Sequence, residues 1–147
     1  MAVPKHELVM SQPRLLLADD NKETAELLRG LLQSEFDVIA QVEDGLALVS
    51  AVERLSPDVI VSDISMPGLD GIAAATEILR HDPCARIVLV TVHSEPVLVE
   101  RGLAAGALGY VLKRMAGDEL VPAVHSALRG ERHVSRLSCA RGSSRTS

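Results

Sequence analysis

The chain has 147 residues and a formal net charge of −5, enough for one ordinary domain with a single buried core and too little for a second beside it. The acidic balance argues against a surface built to hold nucleic-acid phosphates, whose affinity comes from clustered Lys and Arg. Phe and Tyr occur once each and Trp not at all, while 47% of residues are apolar, so the core must be made from Leu, Val, Ile and Ala. Cys84 and Cys139 lie far apart without zinc-ligand spacing and read as free thiols in a reducing compartment. The opening MAVPKHELVMSQP lacks the apolar core of a secretory signal, and no later run is long and apolar enough to cross a bilayer. The expectation is a cytoplasmic protein with no membrane partner.

Residues 1–13 read as an N-terminal tail. The first strand is RLLLAD from Arg14, and Ala25, Leu28 and Leu32 then fall on one face of a helix. A second strand, FDVIAQV from Phe36, precedes a helix whose apolar face is drawn through Leu46, Val49 and Leu55. DVIVSD from Asp58 is the third strand, followed by a Met66-Pro67-Gly68 turn and by Asp70, which is suited to cap or support a turn. After Asp82-Pro83 comes RIVLVT from Arg86, then a helix start with Ser94 as cap and Pro96 in the first turn. The fifth strand is ALGYVLK from Ala107. Pro122 falls past the first turn of a helix beginning after Gly117, which predicts a late start or a bend. Beyond Gly130 the periodicity dissolves, and residues 131–147 read as a mobile tail or truncated linker.

Five strands alternating with five helices over residues 14–130 imply right-handed crossovers and a parallel sheet covered on both faces. The predicted fold is a doubly wound α/β domain with a five-stranded parallel sheet, its flavodoxin-like strand order assigned by analogy. In such sheets ligands gather beyond the carboxyl ends of the strands. Those ends carry Asp19-Asp20, Asp63, Thr91 and Lys113, which the fold would bring together. Three neighbouring carboxylates repel unless a cation neutralises them, and an all-oxygen ligand set completed by water suits Mg²⁺. A hydroxyl at Thr91 and an ammonium at Lys113 could hold phosphoryl oxygens, giving the parts needed for phosphoryl transfer.

LLLADDN, DVIVSDISMPGLDG, IVLVT and GYVLK, in that order, closely resemble response-regulator receiver domains of two-component signalling. The resemblance covers roughly residues 14–130. It implies that Asp63 is the phosphoacceptor and that Asp19, Asp20, Asp63 and the Ser65 backbone carbonyl hold Mg²⁺. It further implies that Lys113 pairs with the phosphoryl group, and that Thr91 and Tyr110 form a switch pair in which the ring moves inward. The implied donor is a sensor histidine kinase. The implied docking face is the fourth helix, fifth strand and fifth helix, where partners or a phosphorylation-dependent second copy would bind.

Each residue also has a plainer reading. Asp19-Asp20 would serve as a helix cap, Asp63 as a turn residue, Thr91 and Lys113 as strand ends and Tyr110 as core packing; only their conjunction favours the chemistry. His93 has the standing of a lone exposed histidine able to influence nearby water, and His6, His81, His125 and His133 show no ligand spacing. Val92, where many receivers carry a smaller residue, would narrow the approach to Asp63. A phosphatase of the haloacid-dehalogenase type would need an aspartate at position 65, where Ser65 stands, so the chain is expected to assist its own phosphorylation without being an enzyme. The alternative is a degenerate receiver that signals by binding alone. ALRGERHVS resembles the exit from the receiver in LuxR-like transcription regulators, and no DNA binding is expected from this chain by itself.

Overall fold

The structure, a computed structural model, describes residues 12–135. Six strands alternate with five helices: β1 (Arg14–Ala18), α1 (Lys22–Leu32), β2 (Asp37–Val42), α2 (Gly45–Leu55), β3 (Val59–Ser62), α3 (Gly71–His81), β4 (Ile87–Thr91), α4 (Pro96–Ala104), β5 (Gly109–Leu112), α5 (Ala116–Leu128) and β6 (His133–Val134). They form one sheet in the order β2-β1-β3-β4-β5-β6. Every pairing is parallel. The flavodoxin-like order expected by analogy is therefore present. The expected strand count is one short, because the segment read as a tail contributes β6. Residues 136–147, including Cys139, lie outside the described residues, as do residues 1–11 with His6.

Alternate strand residues serve opposite faces, as a pleated strand requires. Leu15 and Leu17 join Ala25, Leu28 and Leu32 of α1 and Leu120, Ala123 and Val124 of α5 in one apolar cluster. Leu16 and Ala18 face the other way, against Leu48 and Ala51 of α2, Ala74 and Ile78 of α3 and Val99 of α4. The central strands β3, β4 and β5 are buried at every position. The sheet is thus sealed on both faces, and only its ends can present polar groups.

Three local expectations change. The buried face of α2 runs through Gly45, Leu48 and Ala51, while Leu46 is 67% exposed; the helix begins one residue before Leu46, which turns that residue outward. The cap of α4 is Glu95 without a side-chain hydrogen bond, so Pro96 takes the first helical position and Ser94 stands outside. Finally, α5 starts early, behind a 3₁₀ turn at Lys113–Met115, and contains Pro122. Pro122 lies on the exposed side of α5, where the carbonyl deprived of its helical donor can turn to water.

Candidate functional site

Parallel pairing sets the strand ends side by side. The Asp19 N–H donates to the Val42 carbonyl at 3.0 Å and the Asp63 N–H to the Ala18 carbonyl at 2.9 Å, so each aspartate is fixed just past its strand. The Asp63 loop is closed behind by Gly71, whose N–H donates to the Ile64 carbonyl at 2.7 Å. A side chain at Gly71 would collide with the Asp63 carbonyl, so glycine is required for this close approach. Gly68, with φ of 75°, supplies the left-handed turn before it. Asp70 caps α3, accepting from the Ala73 N–H at 2.8 Å.

Asp19 is fully buried and Asp63 nearly so, while Asp20 is exposed. One carboxylate oxygen from each of the three lies within 4.8 Å of the others. Lys113, in the turn just after β5, places its Nζ 3.0 Å from Asp19 Oδ2 and 3.1 Å from Asp63 Oδ2. The contact with Asp63 is a hydrogen bond. The one with Asp19 is an ion pair without hydrogen-bond alignment, and Asp19 Oδ2 stays buried with no hydrogen-bond partner. Burial of that kind is costly, and in proteins it is usually relieved by a partner or a metal. The plainer reading of the acidic pair fails here: Asn21 caps α1 by accepting from the Thr24 N–H at 2.9 Å, and Asp19 Oδ1 instead accepts from the Asn21 N–H.

Burial pushes the Asp63 carboxyl above the usual aspartate value; the Lys113 ammonium pulls it back, and the Asp19 charge raises it further. For Lys113, burial works against the charged form, but Asp19 and Asp63 outweigh it and raise the pKa. Two buried carboxylates share one ammonium, leaving excess negative charge. The oxygen-only donors and their crowding around a single ammonium fit a hard divalent cation.

Thr91 is buried at the end of β4, and its Oγ1 accepts from the His93 N–H at 3.2 Å. The fully buried Tyr110 donates its hydroxyl to the His93 carbonyl at 2.8 Å. Desolvation, with Glu95 nearby, pushes the phenol up to about 12. The ring has room because α4 offers Gly102 there: a Cβ at Gly102 would stand 2.9 Å from Leu89 Cδ1 and 3.2 Å from the ring. Ser65, two residues past Asp63, donates its N–H to Asp63 Oδ1 at 3.3 Å, and its hydroxyl meets His93 Nε2 at 3.1 Å.

Asp19, Asp20, Asp63, Ser65, Thr91 and Lys113 therefore stand at or beside one sheet end, and Tyr110 is tied to it through the His93 carbonyl. His93 is not the lone histidine it seemed, since its ring touches Ser65 and its backbone holds both Thr91 and Tyr110. Those backbone bonds leave no trace in residue type, and sequence could not have signalled them. Val92 is 65% exposed and faces a hollow shared with Leu27, Leu31, Lys113 and Arg114. Among the described residues no helix is long and apolar enough to cross a membrane, and Cys84 is free and exposed.

The family model of the response regulator receiver domain matches residues 15–125. The transcriptional regulatory protein DegU of Brevibacillus brevis is 32% identical over 123 residues, covering 82% of this chain and 52% of DegU. The chemotaxis protein CheY of Listeria monocytogenes is 27% identical over 117 residues, covering 79% of this chain and 98% of CheY. The crystal structure of a LuxR-family two-component response regulator from Aurantimonas matches with a TM-score of 0.86 at 31% identity, over 93% of this chain and 100% of that one. The chain spans about half the length of the DegU relative and nearly all of the chemotaxis protein. A match of this extent, running over most of the sheet and its acidic end, makes the chain a member of the response regulator receiver domain family.

Proposed function

We propose that the chain accepts a phosphoryl group on Asp63 from a phosphohistidine of a sensor kinase and passes the signal on by a change of shape. The observation that carries this reading is the pairing of two buried carboxylates with one ammonium. An Asp63 carboxylate oxygen attacks phosphorus; the new O–P bond forms as the P–N bond breaks, and the imidazole leaves with the electron pair. Lys113 lies on Asp63 and is placed to neutralise phosphoryl oxygens as charge shifts. Asp19, Asp20, Asp63 and the Ser65 carbonyl would hold Mg²⁺, which supplies the positive charge that gathers carboxylates and phosphoryl oxygens at one point. Thr91 is the hydroxyl for a phosphoryl oxygen. Tyr110 is its switch partner, a reading supported by its burial and by the bond from its hydroxyl to the His93 carbonyl. With Ser65 in place of a second acid, the protein is a stoichiometric acceptor rather than a turnover enzyme. The output face would be that of α4, β5 and α5, where a partner or a second copy would dock, and likeness to regulators such as DegU extends the reading to control of transcription in a longer chain.

The test is the intact mass of wild type and Asp63→Asn after acetyl phosphate treatment, with and without Mg²⁺. A phosphoryl adduct is expected only on wild type with Mg²⁺. Folded wild type that stays unmodified even with a phosphohistidine donor would overturn the reading in favour of signalling by binding alone.

A further inference from the structure

The segment after α5 is built into the sheet. The His133 N–H donates to the Leu108 carbonyl at 2.9 Å, and the Ser135 N–H to the Tyr110 carbonyl at 2.8 Å. The Ser135 hydroxyl accepts from the Leu112 N–H at 3.0 Å and donates to Glu119 Oε1 at 2.7 Å. His133 Nε2 lies 3.3 Å from the same Glu119 oxygen. Side chains alternate as strand geometry demands: Val134 packs into the cluster that holds Tyr110 and Leu112, while His133 and Ser135 reach Glu119 on α5. Ser135 is fully buried.

One short stretch, Tyr110 to Lys113, therefore has the acidic site on one side and this docked segment on the other. Ser135 bonds the backbone of Tyr110 and Leu112. Lys113, next in the chain, reaches Asp19 and Asp63, and the Tyr110 hydroxyl is tied to the loop that also fixes Thr91. We propose that residues 131–135 are a latch on the β5 edge whose docking and the filling of the Asp19–Asp63–Lys113 site favour one another, so that the chain leaving α5 carries the state of the site. This rests on the proposed phosphoryl site. Its physical basis is preorganisation: an undocked latch leaves Tyr110 to Leu112 on an open edge and lets Lys113 spread over more positions, which a phosphoryl group must then reverse. Binding linkage is reciprocal, so the latch must change site affinity by the factor with which the site changes latch docking.

Ser135 bonds Tyr110, Leu112 and Glu119, and Val134 packs in the cluster of Tyr110 and Leu112. Ser135→Ala removes the bridge between Leu112 and Glu119, and Val134→Asp puts a charge where the latch packs. The experiment measures amide exchange at Leu112 and Ser135 and the affinity for beryllofluoride in the presence of Mg²⁺, in wild type and both variants. Expected are slower exchange in wild type on adding beryllofluoride and affinity about fivefold or more weaker in a variant whose latch exchanges freely. A merely structural strand would show exchange indifferent to beryllofluoride. Equal affinity in wild type and in a variant with a freely exchanging latch overturns the coupling while leaving the site reading intact; if Ser135→Ala stays docked, Val134→Asp supplies that variant. Failure of every form, wild type included, to bind beryllofluoride and Mg²⁺ overturns the site reading, and the coupling falls with it.

Discussion

Two polar clusters flank the end of β5, and they are finished differently. On one side Asp19 and Asp63 share Lys113, with negative charge in excess. On the other, Glu119, Ser135 and His133 close on one another and on the Leu112 N–H. A closed network adds stability and a unique arrangement, whereas an open one holds unspent electrostatic energy that a ligand can claim. The incomplete cluster is the one to read as a site.

Removing a member of each cluster sharpens the contrast. Lys113→Met strips the ammonium that pairs with two buried carboxylates and should lower stability in denaturant titration by about 2–4 kcal/mol without metal; added Mg²⁺ should restore part of the loss. If Mg²⁺ restores nothing, the open cluster is not a cation site. Ser135→Ala opens the closed cluster and leaves the Leu112 N–H and one Glu119 bond unmade, a loss of about 1–3 kcal/mol that Mg²⁺ should not recover.

Asp63→Asn should act with the opposite sign. The Asp63 pKa is raised by burial and then by Asp19, so its ionised form disfavours the fold, and stability increases as pH falls through the folded value. The neutral isostere should stabilise the metal-free protein at neutral pH. A destabilised Asp63→Asn would show that Lys113 already satisfies the carboxylate. An effect confined to alkaline pH concerns Tyr110, whose folded pKa lies near 12 against 10.0 unperturbed. Its contribution is complete below pH 10 and lost as pH rises toward 12. It is the chain's single tyrosine, so phenolate absorbance during alkaline unfolding reports that ring alone, and its appearance at the unperturbed value in folded protein would place the ring outside the core.

The strand-end chemistry was legible because type and position coincide: an apolar run closing in Asp, Thr or Lys says both where a strand stops and what stands there. The alternation of strands and helices was legible for the same reason. β6 was not, since His133 and Val134 carry no period of their own and pair only because β5 offers an open edge and Glu119 a partner. The α2 face was misjudged by reading Leu46 as inward, where the cap at Asp44 sets the helix phase. His93 was undervalued because its contribution passes largely through main-chain atoms.

The two residues of β6 also bear on how the molecule behaves in a crowded solution. A parallel sheet ending in a strand as apolar as β5, buried at all four positions, would present its main-chain donors and acceptors as a template for another chain. Among the described residues, β6 moves that edge outward to a two-residue strand followed by Ser135, a short edge of the kind that discourages further pairing. A substitution that frees residues 131–135 should therefore cost solubility before it costs the fold, with turbidity rising at temperatures where the helices remain intact.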